Sequence, residues 1–429
     1  PGRLPSGLSY TTEAMATIAA DHISYGDLYA RWEHGNWSAT EIDFTTDREQ
    51  WQRTFTEIER RAARWTYSMF FHGEDSVADN LSPYIDAAPK AEQKYFLATQ
   101  QVDEARHAVL FARFMREVVG AGDDTASSLE ATRSELSWGF RKVFARLDRM
   151  ADELRRDRSK PKLAQAITLY HLVVEAALAQ PGQHLIEESL TARDLLPGFR
   201  EGIGNVSRDE QRHIAFGVKM IADLVREDPE CKPAVEELLR EIFPLTAAVF
   251  VPPGWDERYV TSFGFTLEEI YTYGAEAIEA RLRAAGLEPE TMRVGLPFDV
   301  PPAERARRGL AMLRAGYLGG PNGPVTPNAE VTALLFDGLR RQMDTRALPS
   351  ATIQWLFRDA EPWHVRVENG TATAAPGRIE HPDLTFRCRF GDWLDVTAGR
   401  TDPLRAALTG KIRPSGKLRM LLRTPKLFA

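Results

Sequence analysis

A mainly α protein, a long helical bundle that ends in a small α+β domain, is the fold this sequence predicts, and three observations predict it. Apolar residues recur at steps of three and four through most of the first 320 residues, the spacing of helices that bury one face. Within that region Asp-Glu-Ala-Arg-His at 103–107 is echoed by Asp-Glu-Gln-Arg-His at 209–213. After Gly319-Gly320-Pro321-Asn322-Gly323-Pro324 the period changes to two, the mark of strands.

The doubled motif carries the chemistry. Glu and His three apart share one face of a helix, so Glu104 with His107 and Glu210 with His213 form two matching pairs. A bundle that holds two metal ions in carboxylates needs one such pair from each of two helices and a single Glu from each of two others. Glu74 and Glu175 lie on apolar stretches upstream of the two motifs and complete the set Glu74, Glu104, His107, Glu175, Glu210 and His213. Taken alone, Glu74 reads equally well as a charge at the edge of a helix face. Carboxylate and imidazole donors without sulfur suit a pair of redox metals such as iron or manganese. Asp103 and Asp209, each just before a ligand Glu, are expected to accept the free ring N–H of the opposite motif's histidine and fix its tautomer. The alternative is that both are surface acids. Arg106 and Arg212 would pair with them or face solvent.

Along the chain, residues 1–45 read as an irregular arm with a short helix. Trp51, Phe55, Ile58, Ala62, Trp65 and Met69 predict one long helix from about 45 through Glu74 to Leu81, with Pro83 interrupting it. A second helix after Pro89 carries Phe96, Leu97, Gln100, Glu104, His107, Phe111, Phe114 and Met115 on one face. Residues 126–158 predict a polar outer helix with solvated charges. A central helix follows Pro161 and holds Glu175, and Pro181-Gly182 distorts or ends it. Pro197-Gly198 precedes the helix of Glu210 and His213, and further helices are expected near 230–250, 265–286 and 302–317.

Domain 1–320 is therefore expected to be the metal bundle, 321–327 a linker, and 328–429 a second domain. In that second domain Ile353, Trp355 and Phe357, then Val365 and Val367, then Leu384, Phe386, Cys388 and Phe390 alternate as strands. Asn369-Gly370 marks a hairpin, helices are expected at 391–397 and 402–408, and 411–413 is a candidate last strand of a mostly antiparallel sheet.

The remaining composition sets bounds. A net charge of −7 with interspersed signs offers no basic stripe, so nucleic acid is not the expected partner. Cys231 and Cys388 lie far apart without metal spacing, which argues for a reducing compartment and against a disulfide. No apolar run is long enough for a transmembrane segment and no export signal opens the chain, so a cytoplasmic setting is expected.

The stretches 31–37 with Ile42-Asp43-Phe44, 71–77, 103–107, 170–175 and 208–217 together resemble the ligand-binding oxidases related to the ribonucleotide reductase small subunit, over most of residues 25–225. The resemblance implies a ferritin-like fold, a Mn/Fe centre, a long-chain fatty acid in a pocket at the site, and an ether cross-link driven by oxygen. The cross-link would join Val77, three residues after the first Glu, to Tyr170, five before the third. A true reductase subunit keeps a radical tyrosine where this chain has Phe111. An offset of five puts Tyr170 about 140° from Glu175 on a regular helix, so meeting Val77 needs a bulge or a favourable edge position, and a plain core tyrosine is the alternative. His171 is either an extra ligand or, as histidines in cores more often are, a hydrogen-bonded core residue. Residues 328–425, through 353–357, 363–370, 410–412 and Gly416, resemble sterol-carrier-type lipid-binding domains, which implies an apolar ligand.

The expected function is an O2-dependent oxidoreductase acting on or binding a fatty-acid-like ligand, assembled as a homodimer. An N-oxygenase, hydroxylase or desaturase of a small metabolite is the alternative within that class. A lipid carrier with a self-oxidised, cross-linked site and an iron-storage oxidase are alternatives of other classes.

Overall fold

The computed structural model describes residues 23–295, 297–321, 325–345, 350–417 and 420. These divide into two compact units, one of residues up to 235 with 250–289, the other of 236–249 with residues from 290 onward. Residues 1–22 of the expected arm and Asn322, Gly323 and Pro324 of the expected linker lie outside the described residues.

The first unit is a ferritin-like bundle. Its arm contributes α1 (Tyr25–His34), capped by Ser24, and then α2 (Thr45–Arg53). The single helix expected from 45 to 81 is two: α3 (Glu57–Asn80) starts afresh. Thr56 accepts from the Glu59 N–H and Glu59 Oε2 accepts from the Thr56 N–H at 2.7 Å, a capping box that begins a new helix although the apolar spacing runs on. After α4 (Ser82–Ala87), α5 (Ala91–Phe114) lies against α3. The expected helix at 126–158 is likewise broken into α6 (Thr125–Thr132), a short 3₁₀ turn, and α7 (Trp138–Arg156), and one of its charges, Arg146, is buried.

The central helix starts as α8 (Lys160–Ile167), becomes a π-helix over Thr168–Ala179, and resumes as α9 (Gln180–Arg193). Pro181-Gly182 therefore does not end the run. Gly182 lets Phe70 approach, since a Cβ there would stand 2.8 Å from that ring. The helix α10 (Pro197–Glu227) packs against the π-helix, and its first N–H groups, from Gly198 and Phe199, donate to Asp47 at 3.0 and 2.7 Å. Only glycine fits at 198, because a Cβ would lie 2.2 Å from the Asp43 carbonyl oxygen. Of the helices that follow, α11 (Cys231–Thr246) belongs mostly to the second unit, and α12 (Arg258–Thr261) and α13 (Leu267–Ala284) to the first, the last against the π-helix.

The second unit contains α14 (Pro302–Arg314), α15 (Ala329–Gln342) and a five-stranded sheet. Its strands are β1 (Ser350–Phe357), β2 (Trp363–Glu368), β3 (Thr371–Pro376), β4 (Leu384–Cys388) and β5 (Arg413–Gly416), in the order β3-β2-β1-β4-β5. Every pairing is antiparallel except β1 with β4. Asn369 and Gly370, at φ 51° and 78°, make the turn between β2 and β3. The last strand begins at Arg413, where 411–413 was expected. Helices α16 (Phe390–Thr397) and α17 (Pro403–Leu408) follow the expected positions. The core of this unit is aromatic: Trp355 is fully buried, edge-on to Phe336 and stacked with Phe386. Cys231 and Cys388 are free and buried. Among the described residues no helix is long and apolar enough to cross a membrane.

Candidate metal centre

Four segments bring six buried side chains together: Glu74 from α3, Glu104 and His107 from α5, Glu175 from the π-helix, and Glu210 and His213 from α10. They form two groups, Glu74–Glu104–His107–Glu210 and Glu104–Glu175–Glu210–His213, each with its donor atoms within 4.8 Å of one another. Glu104 and Glu210 belong to both, the position of carboxylates that bridge two ions.

The histidines are aimed by acids. His107 turns Nδ1 toward Glu74 Oε2 at 3.2 Å and Nε2 toward Asp209 Oδ2 at 3.2 Å. His213 repeats this, with Nδ1 3.3 Å from Glu104 Oε1 and Nε2 3.1 Å from Asp103 Oδ2. Each motif's acid thus holds the other motif's imidazole, the crossed arrangement that the repeated Asp suggested. Arg212 donates to both acids, and Arg106 donates to Asp103. The Trp32 and Trp37 indoles donate to Asp103 at 2.9 Å and Asp209 at 2.8 Å. Neither indole was foreseen in this role. Their positions, 71 and 172 residues from the acids, leave no local spacing to read.

The charges are frustrated in a way that calls for cations. Burial pushes the Glu74 carboxyl up to about 8, aided by Glu210 and Glu104. Burial and Glu210 raise Glu175 well above the usual carboxylate range, and burial and Glu104 raise Glu210. Glu104 goes the other way: burial opposes its charge, but the imidazoles of His107 and His213 outweigh it and hold it well below that range. Burial likewise opposes charge on the two rings, yet the surrounding carboxylates raise both well above the ordinary histidine value. Glu104 Oε2, Glu175 Oε2, Glu210 Oε2 and His213 Nδ1 are buried without a hydrogen-bond partner. Such atoms are costly unless something else binds them, and hard oxygen with imidazole nitrogen is the donor set of iron and manganese.

Gln100 was placed on the right helix face by the sequence, one turn before Glu104, but without a function. Its amide donates to Glu175 Oε1 at 2.8 Å and Glu104 Oε1 at 3.3 Å, and its oxygen accepts from His171 Nε2 at 3.0 Å. His171 stands outside both donor groups. Burial drives its pKa down to about 3, so the ring is neutral and fixes which way the Gln100 amide points. Gly217 makes room for it, since a Cβ there would sit 2.3 Å from the His171 Cβ. Tyr170 and Glu175 lie on the π-helix, whose i→i+5 ladder brings residues five apart toward one face. Tyr170 is fully buried and its hydroxyl donates to Glu104 Oε1 at 2.9 Å. Val77 is buried one turn beyond Glu74. Phe111 stacks on Phe70 with ring centres 5.9 Å apart.

Known proteins share this architecture. The solved R2-like ligand-binding oxidase from Sulfolobus acidocaldarius is 23% identical, with a TM-score of 0.51 over 67% of this chain and 99% of that one. A point variant of an R2-like ligand-binding oxidase, solved with an anaerobically reconstituted Mn/Fe cofactor, is 24% identical, with a TM-score of 0.52 over 64% of this chain and 97% of that one. Another variant, with an aerobically reconstituted Mn/Fe cofactor, is 23% identical at a TM-score of 0.53 and covers 64% of this chain and 97% of that one. At that identity the likeness establishes the fold. The SCP-2 sterol transfer family matches residues 340–429. The description "Ribonucleotide reductase, small chain" matches residues 17–249, more than half of the sequence and all six clustered side chains, and the chain belongs to that family.

Proposed function

We propose that this chain is an O2-dependent oxidoreductase whose centre holds two transition metal ions, Mn/Fe or Fe/Fe, and which acts on or binds a long apolar, fatty-acid-like ligand. The observation that carries the reading is the pair of overlapping donor groups sharing Glu104 and Glu210, with buried donor atoms left without hydrogen bonds. Glu74 and His107 would serve one ion and Glu175 and His213 the other. When bound, such ions supply the electrons that reduce dioxygen and the oxidising power that follows.

The chain's own residues set the geometry. Asp209 and Asp103 would accept from the Nε2–H groups of His107 and His213, which would leave each Nδ1 lone pair for an ion. Gln100, aligned by His171, holds the Glu175 carboxylate in place. Tyr170 donates its hydroxyl proton toward Glu104, so that carboxylate is the natural acceptor if the phenol is deprotonated. The cross-link would break the Tyr170 O–H and a Val77 C–H, form one C–O bond, and pass two electrons and two protons to dioxygen. The Mn/Fe cofactor of the solved relatives favours the mixed centre.

Residues 328–429 form a lipid-carrier domain in this reading, joined through 321–327 to the oxidase domain 1–320, and concentrate the apolar ligand by tethering. The match to the SCP-2 sterol transfer family supports this. The protein works as a cytoplasmic homodimer.

A second reading, a carrier that spends its site on one self-oxidation, is favoured by the hydrogen bond from Tyr170 to a shared carboxylate. One experiment separates them: elemental analysis of metal-replete protein, followed by oxygen uptake with and without a long-chain fatty acid. Roughly two ions per chain and continued uptake with fatty acid support the enzyme, and uptake that stops after one event supports the carrier. Less than one ion per chain would sink both.

A further inference from the structure

The two most exposed large apolar side chains among the described residues lie together in the second unit: Leu404 is 66% exposed and Leu408 79%. Both stand on α17, and residues four apart on a helix share one face. Neither leucine holds that helix in place. Asp402 caps it, accepting from the Arg405 N–H at 2.7 Å, and Ala406 on its other side is buried with Ile412 in the aromatic core. The Ile412 N–H donates to the Ala406 carbonyl at 3.1 Å, which folds 409–413 back beside the helix. A single exposed leucine is ordinary, but two on one face of one short helix form a patch that the domain's own core does not use.

The surround of that patch is basic. Arg405 lies between the leucines in the chain, Lys411 and Arg413 flank the buried Ile412, and all three are exposed. Among the described residues neither Arg405 nor Arg413 forms an ion pair, and Lys411 reaches Asp392 only at 3.8 Å. From residue 403 to 429 the sequence holds seven Lys or Arg and no Asp or Glu, in a chain whose net charge is −7. Positive charge is therefore concentrated where the leucines are. Exposed apolar side chains ringed by cations match one partner chemistry, in which acyl chains take the leucines and anionic headgroups take the charge. We infer that α17 is a membrane-docking tip, which places Leu404 and Leu408 in the interface of an anionic lipid bilayer while Arg405, Lys411 and Arg413 lie against the headgroups. Two leucines alone hold a protein on a bilayer only weakly, and so do three basic residues; a lasting but reversible contact takes both, as it does for one acyl chain beside a basic cluster. Such docking suits a domain that collects an apolar ligand from its store and leaves again. That purpose rests on the lipid-carrier reading of residues 328–429, whereas the docking rests on the leucines and the charge.

The test is co-sedimentation of the full chain with lipid vesicles. Vesicles of phosphatidylcholine mixed with phosphatidylglycerol should carry the protein down, vesicles of phosphatidylcholine alone should not, and raised salt should release it. Leu404→Ser combined with Leu408→Ser should weaken binding roughly tenfold or more. Arg405→Glu combined with Lys411→Glu should weaken it roughly a hundredfold or more, since each basic residue near an anionic surface contributes about fivefold and reversal counts twice. Both variants should keep the circular dichroism of wild type, because the changed side chains are exposed. Should either misfold, an environment-sensitive dye on Leu408→Cys poses the same question: with both native cysteines buried, its emission should move to the blue on anionic vesicles. Wild type that ignores anionic vesicles overturns the inference and leaves the leucines to a protein partner. Equal binding to both kinds of vesicle overturns it too, and undiminished binding by folded variants or an unmoved dye overturns the placement on α17. A fluorescent fatty acid separates the docking from the carrier reading: wild type that binds vesicles but takes up no fatty acid from solution refutes the carrier alone, and uptake without vesicle binding refutes the docking alone.

Discussion

Two segments each deliver one isolated glutamate to the same centre, and they do so with different backbone ladders. Glu74 stands on α3, where regular spacing puts it one turn from Val77 on a buried face. Glu175 stands on the π-helix, where residues five apart align and Tyr170 joins it over Glu104. On an ordinary α-helix those two would diverge by about 140°. One segment thus supplies a carboxylate alone, while the other supplies a carboxylate and a phenol that donates to Glu104. The π-bulge, a feature often found at functional sites, makes the second possible.

Removing the shared carboxylate should break the comparison most severely. Glu104→Ala is expected to abolish binding of both ions, whereas Glu74→Ala leaves the Glu104–Glu175–Glu210–His213 group intact and should retain roughly one of two. Elemental analysis of the two variants, with circular dichroism to establish folding, checks this, and equal losses would refute the division into two groups. Next in size is the loss of an orienting acid. Asp103→Asn should weaken metal binding by about 10–100-fold, measured by chelator competition, because His213 and Arg212 both depend on it. Asp209→Asn should act similarly through His107.

A stability effect comes third. The His171 pKa in the fold, about 3, lies below its unfolded value, so as pH falls the unfolded chain takes up a proton first. His171 therefore costs nothing above about pH 6.5 and destabilises increasingly below it, on the order of 2 kcal/mol by pH 5. Urea unfolding of metal-free protein at pH 7 and pH 5 should show a steeper loss for wild type than for His171→Gln, which keeps a donor for Gln100 but does not titrate. The smallest change tests the bulge itself. Tyr170→Phe should leave metal content unaltered, while intact-mass spectra after oxygen exposure should show the loss of two hydrogens in wild type alone.

The parts legible in the sequence were those with a short-range pattern. Each Glu-x-x-His, the alternation of the strands after residue 320 and the Asn369-Gly370 turn is a pattern among residues close together in the chain. The crossed acids were legible because Asp103 and Asp209 repeat inside the motif. The break at Thr56 was signalled too, by Thr56-x-x-Glu59, but the continuing apolar spacing hid it, since packing periodicity does not register a cap. The π-helix could only be posed as a requirement, because a change from i→i+4 to i→i+5 bonding depends on what packs against it. Trp32, Trp37 and the Gln100–His171 pair needed the third dimension, because each joins segments about 70 residues apart or more.

The crossed pairing of acids and histidines also bears on how the molecule can be taken apart. His107 leans on Asp209 and His213 on Asp103, so the part of the chain before Gly120 and the part after it each carry the aiming group for the other. Two fragments made by a cut near Gly120–Gly122 would each hold a Glu-x-x-His with a freely rotating imidazole, and only their reassociation would orient either ring. The same interdependence makes the two parts poor units for exchange between relatives: a transplanted part brings its glutamate and histidine but loses the acid that aimed the ring.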